Sequence, residues 1–124
     1  ARGMQDYLRT LDFPMILVAS GREDIIASRD ALCFVKNGSP RMSRVTGTGC
    51  MATELLAAFL AVASGEAAFH AAVLATAFMG IAGEIAEETA PRGSGSYHIA
   101  LIDALSTMTA EDIVGRITLG EPLL

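Results

Sequence analysis

Apolar residues recur at helical spacing at the start of the chain, then in short continuous runs, then at helical spacing again almost to the end. Met4, Tyr7, Leu8 and Leu11 stand at i, i+3, i+4 and i+7, which predicts an amphipathic helix over Met4–Leu11. Phe13-Pro14 ends it. Met15–Ala19 is a continuous apolar run, the pattern of a strand buried on both faces of a sheet. Ser20–Asp24 reads as a turn at its carboxyl end, where ligands collect in open α/β sheets. Short strands are expected at Ile25–Ser28 and Ala31–Lys36 around the hairpin pair Arg29-Asp30. Asn37-Gly38-Ser39-Pro40 is a turn by its residue types.

From there the pattern is helical. A helix is expected from about Cys50 to Ala63, with Leu55, Leu56, Phe59, Leu60 and Ala63 on one stripe. After Ser64-Gly65 a longer one runs from Glu66 to about Thr89. Ala72, Thr76, Gly80 and Gly83 form a row of small residues on it, the surface against which another helix packs closely. Its last turns, with Glu84, Glu87 and Glu88, are expected in solvent. Pro91–Gly95 reads as a loop, and Tyr97–Leu105 as a third helix with Ile99, Leu101, Ile102 and Leu105 inward. Thr109 is placed to cap a fourth, with Glu111 and Asp112 in the first turn where the helix dipole favours them.

Strands followed by helices is the order of an α+β domain. Two or three strands, however, are too few to cover four helices, and the run at 15–19 calls for sheet neighbours on both sides. The expectation is therefore an α/β fold, with residues 1–124 forming one portion of a larger domain.

Composition narrows the function. A chain of 124 residues with 52% hydrophobic content can bury one core. A net charge of −5 and a pI near 4.9 argue against a nucleic-acid surface. Cys33 and Cys50 make no disulfide framework and no CxxC pair, so a reduced, cytoplasmic setting is expected, with Cys33 in the core. Ala1–Asp6 carries no signal-peptide pattern. The alanine-rich runs at 55–63 and 67–82 are each shorter than the roughly 20 residues a membrane span needs, and no membrane partner is expected. His70 and His98 lack metal-ligand spacing.

The chemistry points to Arg41–Cys50, which reads Arg-Met-Ser-Arg-Val-Thr-Gly-Thr-Gly-Cys. A glycine-rich turn that opens a helix presents unpaired N–H groups and the positive end of the helix dipole, and phosphate is the usual occupant. Glycine at 47 and 49 lets a ligand approach the backbone without a Cβ in the way. A thiol at a helix start stands where charge is favoured, which makes Cys50 a candidate for proton handling. Arg41 and Arg44 are expected in solvent.

Arg44-Val45-Thr46-Gly47-Thr48-Gly49-Cys50-Met51, with Asn37-Gly38-Ser39-Pro40 upstream, closely resembles the hydroxyethylthiazole kinases of the ribokinase-like superfamily. So does Gly93-Ser94-Gly95-Ser96-Tyr97-His98 followed by Leu101–Ser106. Most ribokinase-like kinases carry aspartate where Cys50 stands, which makes the cysteine specific. The resemblance implies a ribokinase-like α/β fold, here its carboxyl-terminal half with a few strands followed by about four helices. It also implies a homotrimer with active sites at subunit contacts, and ATP with Mg²⁺ as cofactors. The implied reaction phosphorylates the hydroxyl of a small thiazole alcohol, 4-methyl-5-(2-hydroxyethyl)thiazole, in thiamine salvage. Carried over by position, Cys50 is the catalytic residue and Gly47 lines the substrate pocket. Ser20 matches a threonine that contacts ATP, and Thr48 and Gly49 belong to the same phosphate turn. Asp24 coincides with a common aspartate of the family hairpin. The substrate, arginine and Mg²⁺ contacts of the family's amino-terminal half have no counterpart in this sequence. The competing readings are a ribokinase-like kinase of another small alcohol and an inactive fragment whose helices bind a partner chain.

Overall fold

The computed structural model describes residues 1–120. The amino-terminal helix, α1 (Arg2–Arg9), buries Leu8 alone, and Arg9 stands in its last turn as the dipole favours. Three strands follow: β1 (Leu17–Ala19), β2 (Asp24–Ala27) and β3 (Leu32–Val35). They form an antiparallel meander with Val18 opposite Ile26 and Ile26 opposite Cys33. Ser28 closes the β2–β3 turn, its hydroxyl accepting from the Ala31 N–H at 3.0 Å. Residues Leu119–Gly120 return as β4, antiparallel to β3, to give the order β1-β2-β3-β4.

A short 3-10 helix, Pro40–Arg44, leads into the helical portion. It is capped at Ser39, whose hydroxyl accepts from the Arg41 N–H at 3.1 Å. Helices α2 (Thr48–Ala61), α3 (Ala67–Thr89), α4 (Ser94–Thr107) and α5 (Ala110–Arg116) then follow. Thr109 caps α5 as expected: its hydroxyl accepts from the Asp112 N–H while the Asp112 carboxylate accepts from the Thr109 N–H.

Helix α3 is the centre of the molecule. One side packs on the sheet, where Ile26, Val35, Ala72, Val73, Ala77 and Ile81 are buried together. The other meets the 3-10 helix and α4 around Val45, Met79, Ala82, Ala86, Tyr97 and Leu101. Each fully buried large aliphatic among these contributes about 1.5–3 kcal/mol of transfer free energy. Helix α2 lies on α3 with Phe59 and Phe78 ring centroids 5.7 Å apart, and it buries no residue completely. By length and composition α3 could cross a membrane, with mean hydropathy 1.5 over its most apolar window, yet 61% of that window is buried in the protein's own core.

Among the described residues strand β1 pairs with β2 alone, which leaves its other edge open as expected for one portion of a larger domain. Several expectations change. The row of small residues on α3 receives the loop after β3 at Gly80, and the 3-10 helix and α4 at Gly83. A Cβ on Gly80 would stand 2.5 Å from the Asn37 carbonyl oxygen, and one on Gly83 would collide with the Met42 sulfur. On α4 the inward residues are Tyr97, Leu101 and Ala104, while Ile99 and Ile102 are 64% and 47% exposed. Arg41 is no free solvated cation. Its guanidinium lies 4.6 Å from the Tyr97 ring centroid and donates to the Pro91 carbonyl at 2.6 Å and the Gly93 carbonyl at 3.2 Å. Glu84 is half-buried and structural, and Glu88 pairs with Arg116 at 2.8 Å.

Candidate active site

Four segments surround one open cleft of about 800 Å³. The β1–β2 turn contributes Ser20, Gly21, Arg22 and Asp24. The loop after β3 contributes Asn37–Pro40, the first turn of α2 contributes Thr48 and Gly49, and α3 contributes Thr76, Met79 and Gly80. Val18, Ala52, Leu56 and Met79 make an apolar part of the wall. A cavity of this size, mostly apolar with a few polar groups, suits a small molecule or nucleotide.

The α2 start is built as the sequence pattern requires. Gly47 is the N-cap in a left-handed conformation, φ 98° and ψ −6°, where a β-carbon is strained. No side chain caps the helix, and the first backbone bond back into the turn runs from Met51 N–H to the Gly47 carbonyl at 3.0 Å. The N–H groups of Thr48, Gly49 and Cys50 therefore have no acceptor among the described residues. The Thr48 hydroxyl turns back to the Met42 and Val45 carbonyls at 3.3 and 3.4 Å, tying the helix start to the 3-10 helix.

On the β1–β2 turn, the Asp24 carboxylate accepts from the Gly21 N–H at 2.9 Å. Burial raises the Asp24 pKa above the ordinary range, and that hydrogen bond opposes the rise only in part. The Asn37–Gly38 wall is held from below. The buried Asn37 amide donates to the Glu84 carboxylate at 3.1 Å and to the Arg116 carbonyl at 2.9 Å, and its oxygen accepts from the Thr118 N–H at 2.8 Å. Glu84 also accepts from the Gly38 N–H at 2.9 Å.

The structure thus brings Ser20, Thr48 and Gly49 onto one cleft. Gly47, the N-cap next to Thr48, is not among the lining residues. Cys50 is exposed and outside the wall, because α2 begins at Thr48 rather than at Cys50. Two helical positions turn the side chain about 200° around the axis. Cys33 is half-buried, and burial raises its pKa, which keeps the thiol protonated. Asn37, Glu84 and Arg22 are parts of the site that residue patterns alone did not single out. Asn37 and Glu84 lie 47 residues apart, so no local pattern joins them.

Comparison with known proteins identifies the family. Residues 9–111 match the model of the hydroxyethylthiazole kinase family. The chain belongs to the hydroxyethylthiazole kinase family. Hydroxyethylthiazole kinase of Ruminiclostridium cellulolyticum is 45% identical over 102 residues, 82% of this chain and 36% of that protein. The enzyme of that name from Clostridium beijerinckii is 44% identical over 95 residues, 76% of this chain and 34% of its own length. The structure of hydroxyethylthiazole kinase protein from Pyrococcus horikoshii OT3 superposes with a TM-score of 0.76 at 29% identity, covering 98% of this chain and 48% of that one. The fold is therefore the carboxyl-terminal portion of the ribokinase-like architecture, a four-stranded antiparallel sheet followed by helices. This chain spans a third to a half of the family members it matches.

The residues fit the two implied cofactors unequally. Three unpaired N–H groups beside a cleft suit the phosphate end of a nucleotide. For Mg²⁺, no group of three or more His, Cys, Asp or Glu side chains converges among the described residues. Among the described residues Asp24 is the one carboxylate on the cleft wall, and it is already engaged by Gly21. These residues do not assemble a Mg²⁺ site.

Proposed function

We propose that this chain forms part of an ATP-dependent kinase that phosphorylates the hydroxyl of 4-methyl-5-(2-hydroxyethyl)thiazole in thiamine biosynthesis. The observation that carries this reading is the uncapped start of α2, opening onto the cleft it shares with Ser20, in a member of this family. ATP, when bound, supplies the phosphoryl group.

The chain's own groups have distinct tasks. The N–H groups of Thr48, Gly49 and Cys50 face the charge that spreads over the phosphoryl oxygens, and fixed donors are worth most where that charge develops. The Ser20 hydroxyl donates to a nucleotide phosphate oxygen. Gly47, with no side chain, leaves room for the thiazole ring. Cys50 orients the attacking hydroxyl and receives its proton. Because Cys50 lies outside the cleft wall, the alcohol reaches the α2 start from the far side, and nucleotide and alcohol approach from opposite directions. A homotrimer, in which a neighbouring subunit covers that side, and a cytoplasmic location belong to the same reading.

The test is a coupled ADP-release assay with the thiazole alcohol, on the protein as encoded by its full reading frame. Cys50→Ala is expected to lower kcat by roughly 10²-fold to 10³-fold without abolishing it, since proton transfer contributes less than positioning in a loose transition state. Cys50→Asp retains activity. Wild-type rates in both variants would remove Cys50 from the mechanism, and no turnover by the wild type with any small alcohol would end the kinase reading.

A further inference from the structure

The cleft has an unpaired cation that the family motifs do not use. A nucleotide's polyphosphate carries several negative charges, whereas a helix start offers the equivalent of about half a positive charge. The protein's net charge is −5, and Asp24 adds a carboxylate to the cleft itself. Backbone N–H groups alone leave that balance short.

Of the nine Lys and Arg residues, Arg22 is the one on the cleft wall. Several others are occupied elsewhere: Arg116 on Glu88, Arg9 near Asp6, Arg29 on the Leu11 carbonyl and Arg41 on two carbonyls. Arg22 has no hydrogen-bond or ion-pair partner among the described residues. It is also not loosely placed. Its turn is fixed on both sides, because the Gly21 N–H and the Asp24 carboxylate bond across it at 2.9 Å. Ser20, two residues earlier, lines the same cleft. The guanidinium fork matches phosphate oxygens two at a time.

We infer that Arg22 binds the terminal phosphates of the nucleotide, across the cleft from the start of α2. The inference rests on the nucleotide reading of this cleft. The cation brings a second wall to bear on the phosphates, so that the β1–β2 turn and α2 grip them from opposite sides. A nucleoside triphosphate or diphosphate engages both walls, and a bare nucleoside neither.

Isothermal titration of the protein as encoded, with ATP, ADP and adenosine, tests this in the wild type, Arg22→Met and Arg22→Lys. Arg22→Met is expected to weaken ATP roughly ten- to a hundredfold while leaving adenosine binding and thermal unfolding unchanged, since Arg22 is exposed. Arg22→Lys should recover part of the loss. The wild type should also lose ATP affinity with added salt more steeply than Arg22→Met does. Equal ATP affinity and equal salt dependence in wild type and Arg22→Met would overturn the inference alone. A wild type that binds no nucleotide would overturn the reading beneath it as well.

Discussion

Gly80 and Asn37 meet backbone to backbone: a β-carbon on Gly80 would lie 2.5 Å from the Asn37 carbonyl oxygen and 2.7 Å from its carbonyl carbon. This contact seats the cleft wall on α3. Gly80→Ala gains up to about 1 kcal/mol of helix propensity. The clash is with backbone that Glu84, Arg116 and Thr118 hold in place, so overpacking of about 1–3 kcal/mol outweighs the gain. Urea unfolding should show a lower midpoint.

Gly47 and Gly49 give the opposite lesson, since neither would bring a β-carbon within 4 Å of anything. At Gly47 the obstacle is the positive φ of 98°. Gly47→Ala should cost about 1–2 kcal/mol of stability and misalign the α2 N–H groups. Gly49 is helical, so Gly49→Ala should be neutral or stabilising by up to about 1 kcal/mol. Its methyl group would still stand on the cleft wall where a ligand meets the backbone. Denaturant melts and ATP titration of the two variants should therefore separate, with only Gly47→Ala losing both stability and affinity.

Asn37→Asp should be among the most damaging single-atom-scale changes. It replaces a donor with a carboxylate oxygen facing Glu84 at 3.1 Å and the Arg116 carbonyl at 2.9 Å. An unsatisfied buried group costs about 1–3 kcal/mol, and the like charge adds to it. The repulsion raises the new carboxyl's pKa in the folded state, so the lost stability should return as pH falls toward 4. Asn37→Ala should show no such recovery.

Asp24 and Asp112 should respond to acid with opposite signs. The Asp24 pKa is raised by burial above its ordinary 3.8, so the folded state takes up its proton first. Its unfavourable contribution is absent below pH 3.8 and grows as pH rises through the folded pKa. Asp24→Asn should therefore stabilise the protein at pH 7. The Asp112 pKa is lowered below 3.8 by the Thr109 N–H and hydroxyl, so its contribution is present above that value and lost as pH falls through the folded pKa. Asp112→Asn should flatten the acid limb of a stability-against-pH curve, and Asp24→Asn should steepen it.

Arg41→Met should loosen the 3-10 helix from α4 by removing the stack on Tyr97 and both carbonyl bonds, at about 1–2 kcal/mol. Arg41→Lys should recover little, because an ammonium cannot reproduce the fork. Thermal unfolding of the pair checks this.

Residue patterns located the strands and helices to within a few residues and pointed to the α2 start, because apolar spacing and glycine turns are local signals. They missed what depends on distant partners. Strand β4 is two residues long and has no pattern of its own; Phe34 and Val35 define it from across the chain. Ser94 and Gly95 read as loop, yet α4 begins there, with Tyr97 N–H bonded to the Gly93 carbonyl. Ile99 and Ile102 read as core because Leu101 fits two helical faces, and burial of Tyr97 with its hydroxyl on the Gly83 carbonyl selects the other one. Glu84 read as solvated because a sequence does not show that Asn37 will arrive beside it. For Ser20, Gly47 and Cys50 the sequence supplied candidates, and the fold added that Ser20 lines the cleft while Cys50 is exposed outside its wall.

The return of the chain at residues 118–120 bears on the order of folding. The strands from Leu17 to Val35 can pair as soon as they are made, since their turns are short. The Lys36 N–H, in contrast, waits for the Thr118 carbonyl, and Asn37 waits for Arg116 and Thr118. A loop of some eighty residues must close before those bonds form. The wall that carries Asn37 and Gly38 therefore gains its last hydrogen bonds only from residues 116 and 118, far along the chain from the rest of the cleft.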